Sequence, residues 1–379
     1  MAHPRVEALT AQGQSIWQDD ITRTMLRSGS LRRMIEEVGI RGLTSNPTIF
    51  EKAISGSDAY DDQIRHLLSQ GKSPLEIFEA VEVDDIREAC DLFRPLYDAT
   101  GGGDGYCSIE VSPDAARDAD STREQVRRLW ATVDRPNLMV KIPGTIEGVP
   151  VIEEMLAEGK NINVTLLFSL ESYARVAGAY IAGLEKRHAA GEPVAHVASV
   201  ASFFVSRVDT LADKLLEEKL AGASSDAERE LIRSLIGRIA IANAKLAYAK
   251  FQEIFSGPRW EKLAAVGAKP QRPLWASTGT KNPNYPDTLY VDHLIGPNTV
   301  NTMPGKTIEA FLDHGTVART VDRNLDAERE TIAKLAKVGI DLAAVTHRLE
   351  AEGIASFVAS FESLLAGVDA KREALAATA

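Results

Sequence analysis

Cysteine is nearly missing from this chain of 379 residues: only Cys90 and Cys107 are present, far from any CxxC or metal-ligand spacing. That excludes a disulfide framework and fits a reducing compartment. Histidine is also sparse, and its seven copies show no metal spacing; His293 and His314 are expected at the surface. Positive charge is in deficit, since 43 Lys+Arg against 54 Asp+Glu leave a net charge of −11. Nucleic acid and anionic membrane are therefore poor partners, and an anionic substrate must be held by a few local cations. No stretch approaches ~18 uninterrupted apolar residues, and residues 1–14 carry no signal-peptide core, so a soluble, cytoplasmic protein is expected. The glycine fingerprint of a dinucleotide-binding sheet is missing too. Gly101-Gly102-Gly103-Asp104-Gly105 precedes a strand instead of joining a strand to a helix, which is the wrong geometry for cradling phosphate. It reads as a flexible connector.

What is present centres on Leu138 to Ile142, a short apolar run fenced by Pro136 and by Pro143-Gly144, which predicts a buried strand. Lys141 interrupts it. A strand lysine is most often salt-bridged or snorkelling to water. The alternative is a nucleophilic amine that forms a Schiff base with a ketone, which requires its free pKa of ~10.4 to fall by roughly three units.

The rest of the chain supplies the setting. Strands are predicted at Ser15–Asp19, Ile40–Asn46, Tyr106–Val111, Leu138–Ile142, Ile162–Leu167, Val197–Val205, Leu274–Ser277 and Thr299–Met303. Helical patterns separate them, among them Ile21–Val38 closed by Gly39, Asp114–Val133, Leu170–Ala190 and a long region Ser206–Phe255 with a polar break at 222–225. Eight strands alternating with helices predict an α/β fold, a (β/α)8 barrel with additional helices and the lysine on its fourth strand. We read 1–379 as a single domain, with 316–379 a C-terminal helical extension packed on it.

Residues two apart on a strand face the same side. Thr44 and Asn46, Ser108 and Glu110, and Asn163 and Thr165 are polar pairs of this kind near strand ends, joined by Asp19 and Lys141. The opposite parity (Cys107, Ile109, Val140, Ile142, Ile162 and Val164) is apolar and is expected to face the helices. One such pair is a polar plug or a solvated rim. Five strands repeating the pattern predict a polar pocket around Lys141, because buried polar groups destabilise unless satisfied. Of the adjacent acids Asp19 and Asp20, parity admits one to the interior, and the spacing favours Asp19.

Three stretches carry a resemblance: Leu43-Thr44-Ser45-Asn46-Pro47-Thr48-Ile49, Val140-Lys141-Ile142-Pro143-Gly144-Thr145, and Asn161-Ile162-Asn163-Val164-Thr165-Leu166-Leu167-Phe168-Ser169. They resemble the signature stretches of the transaldolases, with further similarity, interrupted by gaps, across residues 15–315. The wording around Asn282-Pro283-Asn284-Tyr285 is most similar to the longer bacterial branch.

The resemblance implies Schiff-base chemistry at Lys141 and transfer of a dihydroxyacetone unit from sedoheptulose 7-phosphate to glyceraldehyde 3-phosphate, in the non-oxidative pentose phosphate pathway. No metal and no organic cofactor is implied. Asp19 matches the proton-transferring acid, and Glu110 with Thr165 the pair that works through a water. Asn46 and Asn163 match residues holding the dihydroxyacetone hydroxyls, with Thr44 and Ser108 as their supports. Ser202 and Arg207, in Ser202-Phe203-Phe204-Val205-Ser206-Arg207, match a substrate contact and a phosphate ligand; the plain alternative for Arg207 is an ion pair with Asp209. Where many relatives place an arginine after the seventh strand, this chain has Lys281, a point charge in place of a bidentate fork. The expected partners are small sugar phosphates, with the protein a monomer or homodimer. Three other readings stay open: a fructose-6-phosphate aldolase-type lyase, a phosphosugar isomerase in which Lys141 is only electrostatic, and a non-catalytic sugar-phosphate-binding protein.

Overall fold

The structure, a computed structural model, describes residues 2–376. Eight parallel strands close into a barrel in chain order: β1 (Gln14–Gln18), β2 (Gly42–Leu43), β3 (Tyr106–Glu110), β4 (Leu138–Pro143), β5 (Ile162–Leu167), β6 (Ser199–Phe204), β7 (Arg272–Ala276) and β8 (Thr299–Met303). Helices surround it, as in other (β/α)8 barrels.

The strand alternation divides the apolar residues into two groups. Trp17, Tyr106, Met139, Val200, Leu274 and Val300 pack together inside the barrel. Ile16, Cys107, Ile109, Val140, Ile142, Ile162 and Val164 belong to the larger core between barrel and helices. The interior layer is closed by Gly42, where a Cβ would lie 2.5 Å from Trp17 Cε2. Only glycine admits the indole there.

Several predicted elements differ. β2 is two residues long, because the backbone turns into a helix at Pro47–Ser55 for which Asn46 is the N-cap. Pro47, read from sequence as the end of a strand, stands at the first helical turn. The predicted helix 21–38 is divided into Arg23–Arg27 and Ser30–Arg33, the latter continuing as a π-helical turn Met34–Val38, with Gly29 (φ 70°) at the break. Gly39 (φ 91°) closes it as expected. The region 206–255 has a second break: Asp213 accepts from Gly237 N at 2.8 Å and Asp209 from Ala240 N at 2.7 Å. Two side chains of helix Ser206–Ala221 thus satisfy backbone donors where helix Ile239–Ile254 starts.

The glycine-rich turn before β3 is not a loose connector. Asp104 is buried beneath the interior layer, accepting from Arg41 Nε (2.7 Å), Arg272 Nη1 (3.0 Å), Ser15 Oγ (2.8 Å) and Trp17 Nε1 (3.4 Å). It plugs the N-terminal end of the barrel.

Beyond β8 the chain forms helices Gly305–His314, Leu325–Lys337 and Leu342–Ala376. The last is long and apolar enough, by length and composition, to cross a membrane. Here Val345, Leu349, Phe361, Leu364 and Val368 are buried against the protein. Phe361 stands edge-on to Phe78 (5.8 Å between centroids), which in turn stands edge-on to Phe50 of helix Pro47–Ser55.

Candidate active site

At the C-terminal ends of the strands the interior turns from apolar to polar and opens into a cavity of about 590 Å³. Asp19, Thr44, Asn46, Glu110, Lys141, Thr165, Ser202, Arg207 and Lys281 all line it. These residues lie up to 262 positions apart in sequence, and barrel closure brings them around one cavity.

Lys141 is almost fully buried, and its Nζ donates to Glu110 Oε2 and to the Ser45 carbonyl, both at 3.2 Å. Its β3 neighbour in the strand register is Glu110, so the pair follows directly from sheet geometry. Burial pushes Glu110 up from the ordinary carboxylate range, against the opposing pull of Lys141. Asp19 follows β1 on the same wall. Burial raises it from 3.8 to about 6, while Lys141 and the Thr44 hydroxyl pull the other way. Thr44 Oγ1 lies 3.3 Å from Asp19 Oδ1 and 2.7 Å from Thr302 Oγ1, which fixes the carboxylate's orientation. Behind Glu110, Glu82 of helix Pro74–Ala99 is buried as well; burial first, and then Glu110, hold it well above the usual range.

One predicted contact, Asn163, is not on the cavity wall and lies behind it together with its expected support, Ser108. Asn163 and Ser108 are fully buried, with Asn163 Nδ2 donating to Ser108 Oγ (3.0 Å) and Ser202 Oγ donating to Asn163 Oδ1 (2.7 Å). Asn163 is level with Lys141 in the strand register, but a short amide stays where a four-carbon stem climbs out. Asn46 uses Oδ1 to cap its helix, accepting from Ile49 N at 3.2 Å. Asp20 borders the cavity together with Asp19. β1 has already ended at Gln18, so alternation no longer decides which acid faces inward.

Arg207 lies over the Phe204 ring, its guanidinium carbon 5.3 Å from the centroid, and burial lowers its pKa. No ion pair with Asp209 forms: that carboxylate accepts from Ala240 N and, at 2.9 Å, from the Tyr290 hydroxyl. Lys281 is exposed at the cavity rim. Among the described residues, no group of three His, Cys, Asp or Glu is placed to hold a metal ion.

Strand parity could not reveal the helix-borne part of the wall. Thr48 and Lys52 of helix Pro47–Ser55, and Gly353, Ser356, Phe357 and Ser360 of the terminal helix, also line the cavity. So do Leu166 (φ 60°) and Ser277 (φ 56°), two of the non-glycine residues with left-handed backbone. At Leu166 the β5–β6 register shifts, between Val164 and Leu167. Such strain gathers where a site demands it.

A closed parallel barrel with a buried lysine–carboxylate pair at the C-terminal ends of its strands defines the class, an α/β-barrel enzyme. Comparison with known proteins narrows it. Residues 16–368 match the family described as Transaldolase/Fructose-6-phosphate aldolase. The chain is 50% identical over 361 residues to a transaldolase of Thermobifida fusca (strain YX), covering 95% of this chain and 96% of that one. It is 48% identical over 361 residues to a transaldolase of Trichodesmium erythraeum (strain IMS101), covering 95% of each. With a transaldolase of Mycolicibacterium smegmatis (strain ATCC 700084 / mc(2)155) it shares 47% over 364 residues, 96% of each. The chain belongs to the transaldolase/fructose-6-phosphate aldolase family.

Proposed function

We propose that the protein is a transaldolase, a transferase that moves a dihydroxyacetone unit from sedoheptulose 7-phosphate to glyceraldehyde 3-phosphate. Erythrose 4-phosphate and fructose 6-phosphate are the products. The observation that carries the reading is the Lys141–Glu110 pair at 3.2 Å inside a cavity that Asp19 also lines. It is supported by the near full-length similarity to proteins named transaldolase.

Lys141 Nζ attacks the ketose C2 carbonyl. Glu110, pushed up from the ordinary carboxylate range by burial, stands beside Lys141 Nζ, and with Thr165 it moves protons as the carbinolamine forms and loses water. The resulting iminium is the electron sink. Asp19 takes the proton of the C4 hydroxyl, the C3–C4 bond breaks into the sink, and erythrose 4-phosphate departs, leaving an enamine on Lys141. The acceptor aldehyde then adds to C3, Asp19 returns the proton to the new hydroxyl, and hydrolysis frees fructose 6-phosphate and the amine. Thr44 orients Asp19 through its hydroxyl, while Asn46 and Ser202 hold the dihydroxyacetone hydroxyls. Asn163 supports Ser202 from behind, and Ser108 supports Asn163. Arg207 and Lys281 receive the phosphate.

Besides the reacting Lys141, three cationic side chains (Lys52, Arg207 and Lys281) line the cavity with Asp19, Asp20 and Glu110, and burial biases the carboxyls of Asp19 and Glu110 toward the neutral form. That local excess suits a phosphorylated ligand in a protein whose net charge is −11. The reaction belongs to the cytoplasm, where sugar phosphates circulate.

The test is to add fructose 6-phosphate and borohydride, then map the adduct by mass spectrometry. A dihydroxyacetone-derived or ketose-derived adduct on Lys141, lost in Lys141→Ala, is expected. No adduct on Lys141 leaves a binding protein or an isomerase. Assays with and without erythrose 4-phosphate then separate transfer from aldolase-type release.

A further inference from the structure

One wall of the cavity comes from the terminal helix Leu342–Ala376, lying across helix Pro47–Ser55. The approach is close: a Cβ on Gly353 would lie 3.2 Å from Leu166 Cδ2 and 3.6 Å from the Phe168 ring, so glycine lets the helix rest on the strained end of β5. One turn further along, Ser356 and Phe357 line the cavity, followed by Ser360. Thr48 Oγ1 donates to Ser360 Oγ at 3.0 Å, and both residues border the cavity. Further from the cavity, Lys371 Nζ donates to the Ile54 carbonyl at 2.9 Å and pairs with Asp61 at 2.7 Å. Ser363 reaches Glu51 at 3.4 Å on the exposed side. The end of the helix is thus held by an ion pair and carbonyl contacts. Among the described residues, the stretch bordering the cavity makes one side-chain hydrogen bond to helix Pro47–Ser55, the Thr48–Ser360 hydroxyl contact, in addition to the packing of the two helices.

We propose that this stretch, latched by Thr48 and Ser360, determines what becomes of the enamine on Lys141. The inference rests on the transaldolase reading. With the latch closed, Gly353 to Ser360 keep bulk water from the enamine carbon, and carbon–carbon bond formation with an aldehyde is the route left open. With the latch open, a second route competes. A solvent proton adds to C3 of the enamine, water adds to C2 of the resulting iminium, and the C2–N bond breaks. Dihydroxyacetone and the Lys141 amine are released. Thr48 and Ser360 are positioning residues: they touch no reacting atom, and their effect is on the ratio of two products.

The experiment measures dihydroxyacetone released against sedoheptulose 7-phosphate formed, with fructose 6-phosphate as donor and erythrose 4-phosphate as acceptor. Thr48→Ala and Ser360→Ala should each raise that ratio about five- to tenfold, the population shift that one lost hydrogen bond supports. The double variant should leak no more than either single one, because both remove the same bond. Thr48→Ser keeps the hydroxyl and should match the parent protein, as should Ser363→Ala outside the cavity. Ratios within twofold of the parent in both alanine variants overturn the inference, as does equal leakage from Thr48→Ser and Thr48→Ala. Borohydride trapping on the parent Lys141 separates the two levels: no adduct refutes the function itself, whereas an adduct with unchanged ratios refutes only the role of the helix. Circular dichroism melts of each variant confirm that the fold is retained.

Discussion

Replacing Asp19 by asparagine should separate stability from catalysis. Burial raises the Asp19 carboxyl from 3.8 to about 6. An acid raised on folding contributes stability that is fully present below the unfolded value, near pH 4, and is lost as pH rises through 6. By pH 8 the ionised carboxylate costs about 3 kcal/mol relative to pH 4. Asparagine has nearly the same shape, can still accept from the Thr44 hydroxyl, and carries no charge. Asp19→Asn should therefore be more stable than the parent at pH 8, by up to about 3 kcal/mol or about 4 °C in melting temperature. The gain should vanish at pH 4. Activity should move the other way, falling by about 10²–10⁴ in kcat because the amide cannot take the C4 hydroxyl proton. In the parent protein, kcat/KM should lose activity below an apparent pKa of about 6 on the acid side. Melts at the two pH values and a donor–acceptor assay decide it. A gain of equal size at pH 4 and pH 8, or transfer activity within tenfold of the parent, refutes the reasoning.

Arg207→Ala removes the partly buried guanidinium over Phe204 and should raise KM for phosphorylated ketoses about 10- to 100-fold, the effect of losing a hydrogen bond to a charged group. Activity with unphosphorylated donors should hold, and Arg207→Lys should recover part of the loss. Asp104→Asn should destabilise by about 3–5 kcal/mol in denaturant titrations, since Arg41 and Arg272 would be left without their buried partner. Burial tends to raise the Asp104 carboxyl, but Arg272 and then Arg41 overcome it and hold it below the usual range. Its stabilisation is therefore present above pH 4 and lost as pH falls, and the asparagine variant should be less sensitive to acid than the parent.

Much of the barrel was legible because its signals are local. A run such as Ile162–Leu167 or Thr299–Met303 states its own length, and its period of two sorts Lys141, Glu110 and Thr165 from Val140, Ile109 and Val164 with no knowledge of neighbours. Helix starts behind a proline were less legible. Pro47 serves a strand end and a first helical turn equally well, so Pro47–Ser55 was missed, and with it Thr48 and Lys52 on the cavity wall. The break at 234–238 was missed for another reason: the partners of Gly237 and Ala240 are carboxylates on a different helix.

The sequence by itself determined which side chains face the barrel axis, because alternation along an extended backbone is a property of the chain alone. Tertiary structure decided which of them reach the cavity. Side-chain length left Asn163 behind the wall and carried Lys141 through it, and the end of β1 at Gln18 let Asp20 join Asp19. It also decided what faces the strand ends. Residues 353–360 lie more than 200 positions from Lys141, and only the packing of the terminal helix against residues 47–55 brings them there.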